Sequence, residues 1–350
     1  MASPRFRPVP HARPGDRIAV LSPVFAAPAI SAAVHEQALR RLQDVTGLIP
    51  VEYPTTRVAD ASARDRARDV NAAFADPQIR AVIATLGGDD QVTIIPHLDA
   101  ALIAADPKPF LGYSDNTNLH SFLWGLGVRS FYGGSTQIHL GAGPAVDEIR
   151  ARSLRAALLD GGDIELTEPG ESEDYGLEWT DPRALHAFGE RETTEPWTWA
   201  GPARVVDGPT WGGCLEVLDQ IALADRMPSV AALGGAILLL ETSETLPSAD
   251  EVRRWVRGLG ERGVLGAVDG VLVARPVVAE RGVPLAPAAQ RARLREAQRD
   301  VIIEQVARYN PDAVVCVGVP FGHTRPQWIV PHGGVVRLDG AARTVTASYD

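Results

Sequence analysis

Three short segments hold residues whose types and placement suit hydrolytic chemistry. The first is Phe110-Leu-Gly-Tyr-Ser-Asp-Asn-Thr-Asn-Leu-His. Its apolar start predicts a strand ending near Tyr113, and Leu119, Phe122, Leu123 and Leu126 at helical spacing predict a helix directly after it. Ser114 then falls at a sharp strand-to-helix turn, where a hydroxyl is exposed and the helix N-terminal amides lie beside any oxyanion formed there. This is the logic of a nucleophile elbow without the GxSxG spelling. The plainer reading is that Ser114 or Asp115 caps the helix.

A serine nucleophile needs a base, and eight histidines are available. His120 follows Ser114 by six residues, which puts it nearly opposite on the helix surface. His35 falls in a helical pattern, where a solvated side chain is the ordinary expectation. His323 differs, because Gly318-Val-Pro-Phe-Gly-His-Thr-Arg-Pro follows the apolar run Ala313 to Val317, at a strand's C-terminal end where active residues concentrate. An uncommitted loop histidine is the alternative. The third segment, Ala236-Ile-Leu-Leu-Leu-Glu-Thr-Ser-Glu, places Glu241 at the mouth of a buried strand, either solvated or orienting a histidine. Glu244 is its rival.

A fourth segment, Thr85-Leu-Gly-Gly-Asp-Asp, offers main-chain amides at Gly87 or Gly88 that could serve an oxyanion hole, or simply a tight turn. The adjacent Asp89 and Asp90 have no His or Cys near them in sequence, which is weak support for a metal. Gly258-Leu-Gly-Glu-Arg-Gly matches a dinucleotide-loop pattern but ends a helix instead of joining a strand to one. Cys214, in Trp211-Gly-Gly-Cys, reads as a packed free thiol.

These residues need elements to hold them. Over the first 160 residues apolar runs at Arg17–Pro23, 48–53, 81–86 and 109–113 alternate with helical patterns, one of them carrying Ile30, Ala33, Val34, Ala38, Leu42 and Val45 on a single face. Such alternation predicts a parallel sheet covered by helices, with active residues at the carboxyl ends of the strands. Residues 161–200 are acidic and aperiodic but hold three tryptophans, and read as a linker that doubles as a substrate loop. From 201 to 350 periodicity returns. Strands are predicted at 203–206, 235–240, 268–274 and 313–317, helices at 213–222 and 287–308, a helix capped by Ser248 and Glu251, and a β-rich tail.

The formal net charge of −10 argues against nucleic-acid polymers and anionic membranes as partners. Two distant cysteines exclude a disulfide framework or a Cys-rich zinc site. The proline-broken N-terminus lacks the apolar run of a signal peptide, so the expected location is the cytoplasm.

Taken together, Gly-Tyr-Ser-Asp-Asn-Thr around Ser114, Leu-Leu-Leu-Glu-Thr-Ser-Glu around Glu241 and Phe-Gly-His-Thr-Arg-Pro around His323 resemble the LD-carboxypeptidase family of serine peptidases. The glycine pair before Ser114 and Trp211-Gly-Gly-Cys-Leu also fall in register. The resemblance implies a flavodoxin-like N-terminal domain, a mixed α/β C-terminal domain, a site between them, a homodimer, and no metal or organic cofactor. It implies Ser114, His323 and Glu241 as the triad, with the amides of Gly88 and Asp115 as the oxyanion hole. The Gly-Gly-Asp-Asp turn and the loop with Glu178-Trp179 look like the microcin-immunity subgroup, whose loop tryptophan stacks on the nucleobase of an aminoacyl-nucleotide. Stacking of that kind tolerates any base. That subgroup points to Gly87, Asp89, Trp179 and Thr245 as substrate contacts. Thr245 stands where the subgroup has a lysine, which leaves recognition of a phosphate-like linkage open. Trimming of muropeptides with the same chemistry is one alternative; a two-domain small-molecule binding protein is another.

Overall fold

The computed structural model describes residues 6–7 and 9–350. Its first strands are β1 (Arg17–Leu21), β2 (Ile49–Glu52), β3 (Ile79–Ala84), β4 (Phe110–Gly112) and β5 (Ser130–Tyr132). The rest follow as β6 (Asp163–Leu166), β7 (Glu171–Ser172), β8 (Glu192–Thr193), β9 (Thr198–Ala200), β10 (Val205–Cys214) and β11 (Ile237–Glu241), then β12 (Gly270–Ala274), β13 (Val314–Val319), β14 (Val330–His332), β15 (Val335–Asp339) and β16 (Thr344–Ser348).

Strands β1 to β5 are parallel and lie in the order β2-β1-β3-β4-β5, the doubly wound flavodoxin-like arrangement. Strands β3 and β4 are buried almost throughout, as expected where helices cover both faces of a parallel sheet. Those helices are Ala32–Thr46 and Ala63–Ala75, whose first turns are capped by the Ser31 and Ser62 hydroxyls, and Thr117–Gly125. The sheet's far edge is closed from the other end of the chain, because β14 pairs antiparallel with β5.

The second sheet runs β6-β16-β15-β10-β11-β12-β13-β9. Its centre, β10 to β13, is parallel, and antiparallel strands flank it on both sides. Every residue of β11 and β12 is buried. The helix Ala249–Glu261 starts with the Ser248 and Glu251 capping box that the sequence predicts.

Several sequence expectations need correction. Strand β10 continues to Cys214, so the next helix begins at Leu215 and not at Gly213; two glycines at the strand's end hide its β character. The helices Ala63–Ala75 and Glu148–Arg155 are not predicted, because their inner faces mix a few apolar residues (Val70, Phe74 and Leu154) with alanine and with buried polar residues such as Arg66, Asp69, Arg150 and Ser153. His35 is not solvated: it is fully buried, its Nε2 lies 2.9 Å from Glu52 Oε1, and burial lowers its pKa. Residues 161–200 are ordered into β6, the β7–β8 hairpin and β9, so the stretch supplies both edge strands of the second sheet. Among the described residues no helix is long and apolar enough to cross a membrane.

Candidate active site

The carboxyl ends of β1, β3 and β4 open onto a cleft of about 350 Å³. Phe25, Leu86, Gly87, Gly88, Tyr113 and Ser114 form its first-sheet wall, and Tyr175, Trp179, Glu244, Arg281, His323 and Arg325 face them. Strand ends supply the chemistry on both sides, as an open α/β sheet dictates.

Ser114 begins a single 3-10 turn, Ser114–Asn116, that leads into the helix Thr117–Gly125. Its φ is +63°, a left-handed conformation uncommon for a residue with a side chain. Four hydrogen bonds hold the turn. The Ser114 N–H donates to Tyr132 Oη at 3.1 Å, the Ser114 carbonyl accepts from Thr117 Oγ1 at 2.6 Å, and Asn116 Nδ2 donates to the carbonyls of Leu86 and Tyr113. Gly87 is required on the facing turn, because a Cβ there would stand 2.8 Å from Ser114 Cβ and 3.1 Å from its hydroxyl. The N–H of Asp115 belongs to the first helical turn, where amides lack intrahelical acceptors. Its carboxylate turns inward to accept from Gln91 N and Asn118 Nδ2, and burial pushes its pKa up to about 6.

Glu241 is the last residue of β11 and is 1% exposed. One carboxylate oxygen accepts from Tyr132 Oη at 2.5 Å; the other lies 2.5 Å from His323 Nδ1. Tyr132 therefore bonds both the Ser114 main chain and the carboxylate from the other sheet. Gly213 lets the two sheets come this close: at φ +139° it lies where a Cβ would meet Thr117 Oγ1 at 2.6 Å and the Tyr132 ring at 2.7 Å.

His323 lies between two carboxylates. Glu241 takes Nδ1, and Glu244 Oε2 lies 3.0 Å from Nε2. Its ring meets Tyr113 edge-on, with centroids 4.9 Å apart. Burial works to lower the imidazole pKa, but the two carboxylates outweigh it and hold it well above the ordinary value. Partial burial works to raise the Glu244 pKa, but the adjacent His323 outweighs it and holds the carboxylate down to about 2, with its outer side open to the cleft. Among the described residues no hydrogen bond joins Ser114 Oγ to His323, and the acid beside Nε2 is Glu244.

Of the residues singled out from sequence, Ser114, Gly87, Gly88, Trp179, Glu244 and His323 line one cleft. Glu241 lies behind His323, and Asp115 in the turn below. Asp89 and Thr245 are outside the lining. Asp89 is exposed, and Thr245 Oγ1 donates to Glu216 Oε1, which also accepts from the Ser243 N–H and hydroxyl. Asp90 is bound by Arg66 through two 2.7 Å bonds, and among the described residues no group of three His, Cys, Asp or Glu side chains is placed to hold a metal ion. Cys214 is buried against Glu216, and burial pushes its thiol pKa well up. Sequence reasoning missed Tyr132, which reads as a core tyrosine on a short strand, and Tyr175 and Arg281, which lie in aperiodic segments. The Arg281 guanidinium lies 5.2 Å from the Trp179 ring centroid and 5.5 Å from that of Tyr175.

Family models match both parts of the chain: the LD-carboxypeptidase N-terminal domain over residues 18–133 and the LD-carboxypeptidase C-terminal domain over residues 207–338. The chain belongs to the LD-carboxypeptidase family. A Vibrio cholerae relative, named "Putative carboxypeptidase VC_A0337", is 27% identical over 334 residues, covering 93% of each chain. The microcin C7 self-immunity protein MccF of Escherichia coli is 29% identical over 183 residues, 51% of this chain and 52% of that protein. The solved structure of MccF in complex with glutamyl sulfamoyl guanosine superposes with a TM-score of 0.80 at 23% identity, covering 99% of this chain and 98% of the other. That likeness carries the two-domain fold, and membership of the LD-carboxypeptidase family makes the protein a serine hydrolase rather than a passive binding protein.

Proposed function

We propose that Ser114 is the nucleophile, His323 the general base and Glu241 the residue that orients it, in hydrolysis of an amide bond within a small aminoacyl-nucleotide or related peptide. The observation that carries the reading is the 2.5 Å contact of the buried Glu241 carboxylate with His323 Nδ1, across a cleft from a serine held at positive φ. Glu241 fixes the tautomer that presents Nε2 to the cleft. The Ser114 hydroxyl attacks the carbonyl carbon while its proton passes to Nε2. The amides of Gly88 and Asp115 hold the oxyanion; His323 then gives its proton to the leaving amine, and water hydrolyses the ester. Tyr132 is a positioning residue that ties the nucleophile's backbone to the orienting carboxylate.

The aminoacyl-nucleotide class is favoured by the aromatic wall of Tyr175 and Trp179, which suits a planar base, and by the likeness to MccF, whose solved structures hold glutamyl and aspartyl sulfamoyl nucleosides. Thr245 faces Glu216 instead of the cleft, and in this reading contributes to the Ser243 turn rather than to substrate. A muropeptide tetrapeptide is the second substrate reading, favoured by the family matches to LD-carboxypeptidase domains. The reading extends to a homodimer in the cytoplasm, which sedimentation of the purified protein and fractionation of cells would check.

The deciding experiment is single-turnover hydrolysis of an aminoacyl-sulfamoyl adenosine and of an LD-linked tetrapeptide by wild type and Ser114→Ala. Cleavage of the nucleotide that disappears in the variant supports the reading. Cleavage of the tetrapeptide alone transfers the substrate to cell-wall peptides, and undiminished cleavage by the variant removes Ser114 from the mechanism.

A further inference from the structure

Glu244 stands at the nitrogen of His323 that the proposed mechanism needs free. Its Oε2 lies 3.0 Å from Nε2, and Ser114 Oγ makes no hydrogen bond to that nitrogen among the described residues. Two carboxylates on one imidazole favour the doubly protonated ring, which can accept no proton from a serine. The general base works only as neutral imidazole.

Neutralising His323 leaves Glu244 in difficulty. Among the described residues His323 is its sole ion-pair partner within 4.0 Å. Arg281 also lines the cleft and favours the Glu244 carboxylate from beyond ion-pair distance, but it is engaged over the Trp179 and Tyr175 rings and 3.7 Å from Glu178. Glu244 is 53% exposed in the open cleft, so water solvates it there. A substrate filling the cleft expels that water, and a carboxylate without a counter-charge becomes costly. The other titratable or charged groups around the pair are Glu241, Tyr113, His139, Tyr175 and Arg325. Only Arg325 among them is a standing cation, and its nearest acid is Glu173 at 3.9 Å.

Resting on the catalytic reading above, we propose that Glu244 is a specificity-determining residue that selects substrates bearing a free ammonium group close to the scissile carbonyl, and that this ammonium takes Glu244 from His323 and so frees Nε2 for Ser114. The exchange works twice over. It removes the carboxylate beside Nε2, and it brings a cation near the imidazole, which lowers its proton affinity. The Nε2 proton therefore passes to a cleft water that leaves as the substrate seats, and the ring meets Ser114 neutral. A neutral or acylated amine offers Glu244 nothing, and the histidine remains held.

The test uses one aminoacyl-sulfamoyl adenosine with its α-amine free and the same compound N-acetylated, with wild type, Glu244→Gln and Ser114→Ala. Wild type is expected to prefer the free amine in kcat/KM by about tenfold or more, as for a site built around a charged partner. Glu244→Gln should lose most of that preference, slower on the free amine and faster on the acetylated compound. Its midpoint for kcat/KM against pH, measured on the acetylated compound, should fall by about one unit because a carboxylate has left His323. Equal cleavage of both compounds by wild type overturns the proposal, as does a Glu244→Gln variant with unchanged preference and pH midpoint. Loss of all cleavage in Ser114→Ala is expected whichever way those results fall, and its retention would overturn the catalytic reading instead. Since Glu244 is half exposed and caps no element, unchanged thermal unfolding of Glu244→Gln separates a selectivity effect from misfolding.

Discussion

At the residue scale the site is a chain of short hydrogen bonds that runs from the Ser114 backbone through Tyr132 to Glu241 and on to His323. Ser114→Ala should lower turnover by roughly 10⁴-fold or more while leaving the thermal transition in place, since the hydroxyl makes no structural bond among the described residues. Tyr132→Phe removes a donor to a buried carboxylate, and leaving Glu241 short of one partner should cost about 1–3 kcal/mol in stability and lower kcat more than it raises KM. Equal loss in the two kinetic constants would argue against a positioning role. For His323 the pKa lies above its ordinary value, so the inactive protonated form persists to higher pH; kcat/KM should rise through a midpoint above about 6.5, and a midpoint at or below that would contradict the double-carboxylate geometry. The triad candidates were legible because each sits at the end of an apolar run, where a polar side chain is conspicuous. Tyr132 was not, because nothing local distinguishes a core tyrosine from one whose hydroxyl spans two sheets.

At the scale of elements, the decisive piece is the stretch between the two sheets. Its sequence reads as a linker because it is acidic and lacks a period, yet its acids are the partners of arginines far away in sequence. Asp174, Glu192 and Glu195 meet Arg275 at the end of β12 and Arg291 and Arg295 on the helix Ala288–Tyr309, and Asp174 also accepts from the Val278 and Ala279 amides. Such pairing over about a hundred residues has no local signature, which is why the anchoring was not legible while strands and capped helices were. The network holds Tyr175 and Trp179 against the cleft. Arg295→Met strands several carboxylates and should cost about 3–5 kcal/mol by denaturant unfolding, with KM rising more than kcat falls. The network also fixes an acid limit. The Glu192 pKa is lowered to about 2, since Arg291 and Arg295 outweigh its desolvation. Its contribution is therefore present above the unfolded value near 4.5 and is lost as pH falls toward 2, on the order of 3 kcal/mol in all. Stability in wild type should drop across that window, and the drop should be smaller in Glu192→Gln; identical pH dependence would place the acid sensitivity elsewhere.

At the scale of the whole molecule, the chain crosses between its two sheets more often than a division near residue 160 suggests. Strand β14, close to the C-terminus, completes the first sheet, and its continuation is tied to β10 by bonds between Thr210 and Gly333 and Gly334. A single buried apolar cluster contains Ile18, Leu111 and Tyr132 from the first sheet and Ile237, Leu272 and Val314 from the second. The nucleophile candidate belongs to one sheet and its base to the other, so activity requires both to be folded and docked. Shared core makes the halves unfold together, because separating them exposes apolar surface on each at about 25 cal/mol per Å². Six of the seven tryptophans follow residue 160, and only Trp124 precedes it, so tryptophan fluorescence reports chiefly on the second part while far-ultraviolet circular dichroism reports on both. The two signals should fall in one coincident transition, with hydrolysis lost at the same midpoint. A fragment ending at residue 160 lacks β14 and the apolar partners from β11 to β13, and should show neither a cooperative transition nor the secondary structure of β1 to β5. Resolved transitions, or a fragment that melts cooperatively by itself, would mean that the first sheet is stable alone and that the interface carrying Tyr132 and Glu241 is a docking surface rather than a shared core.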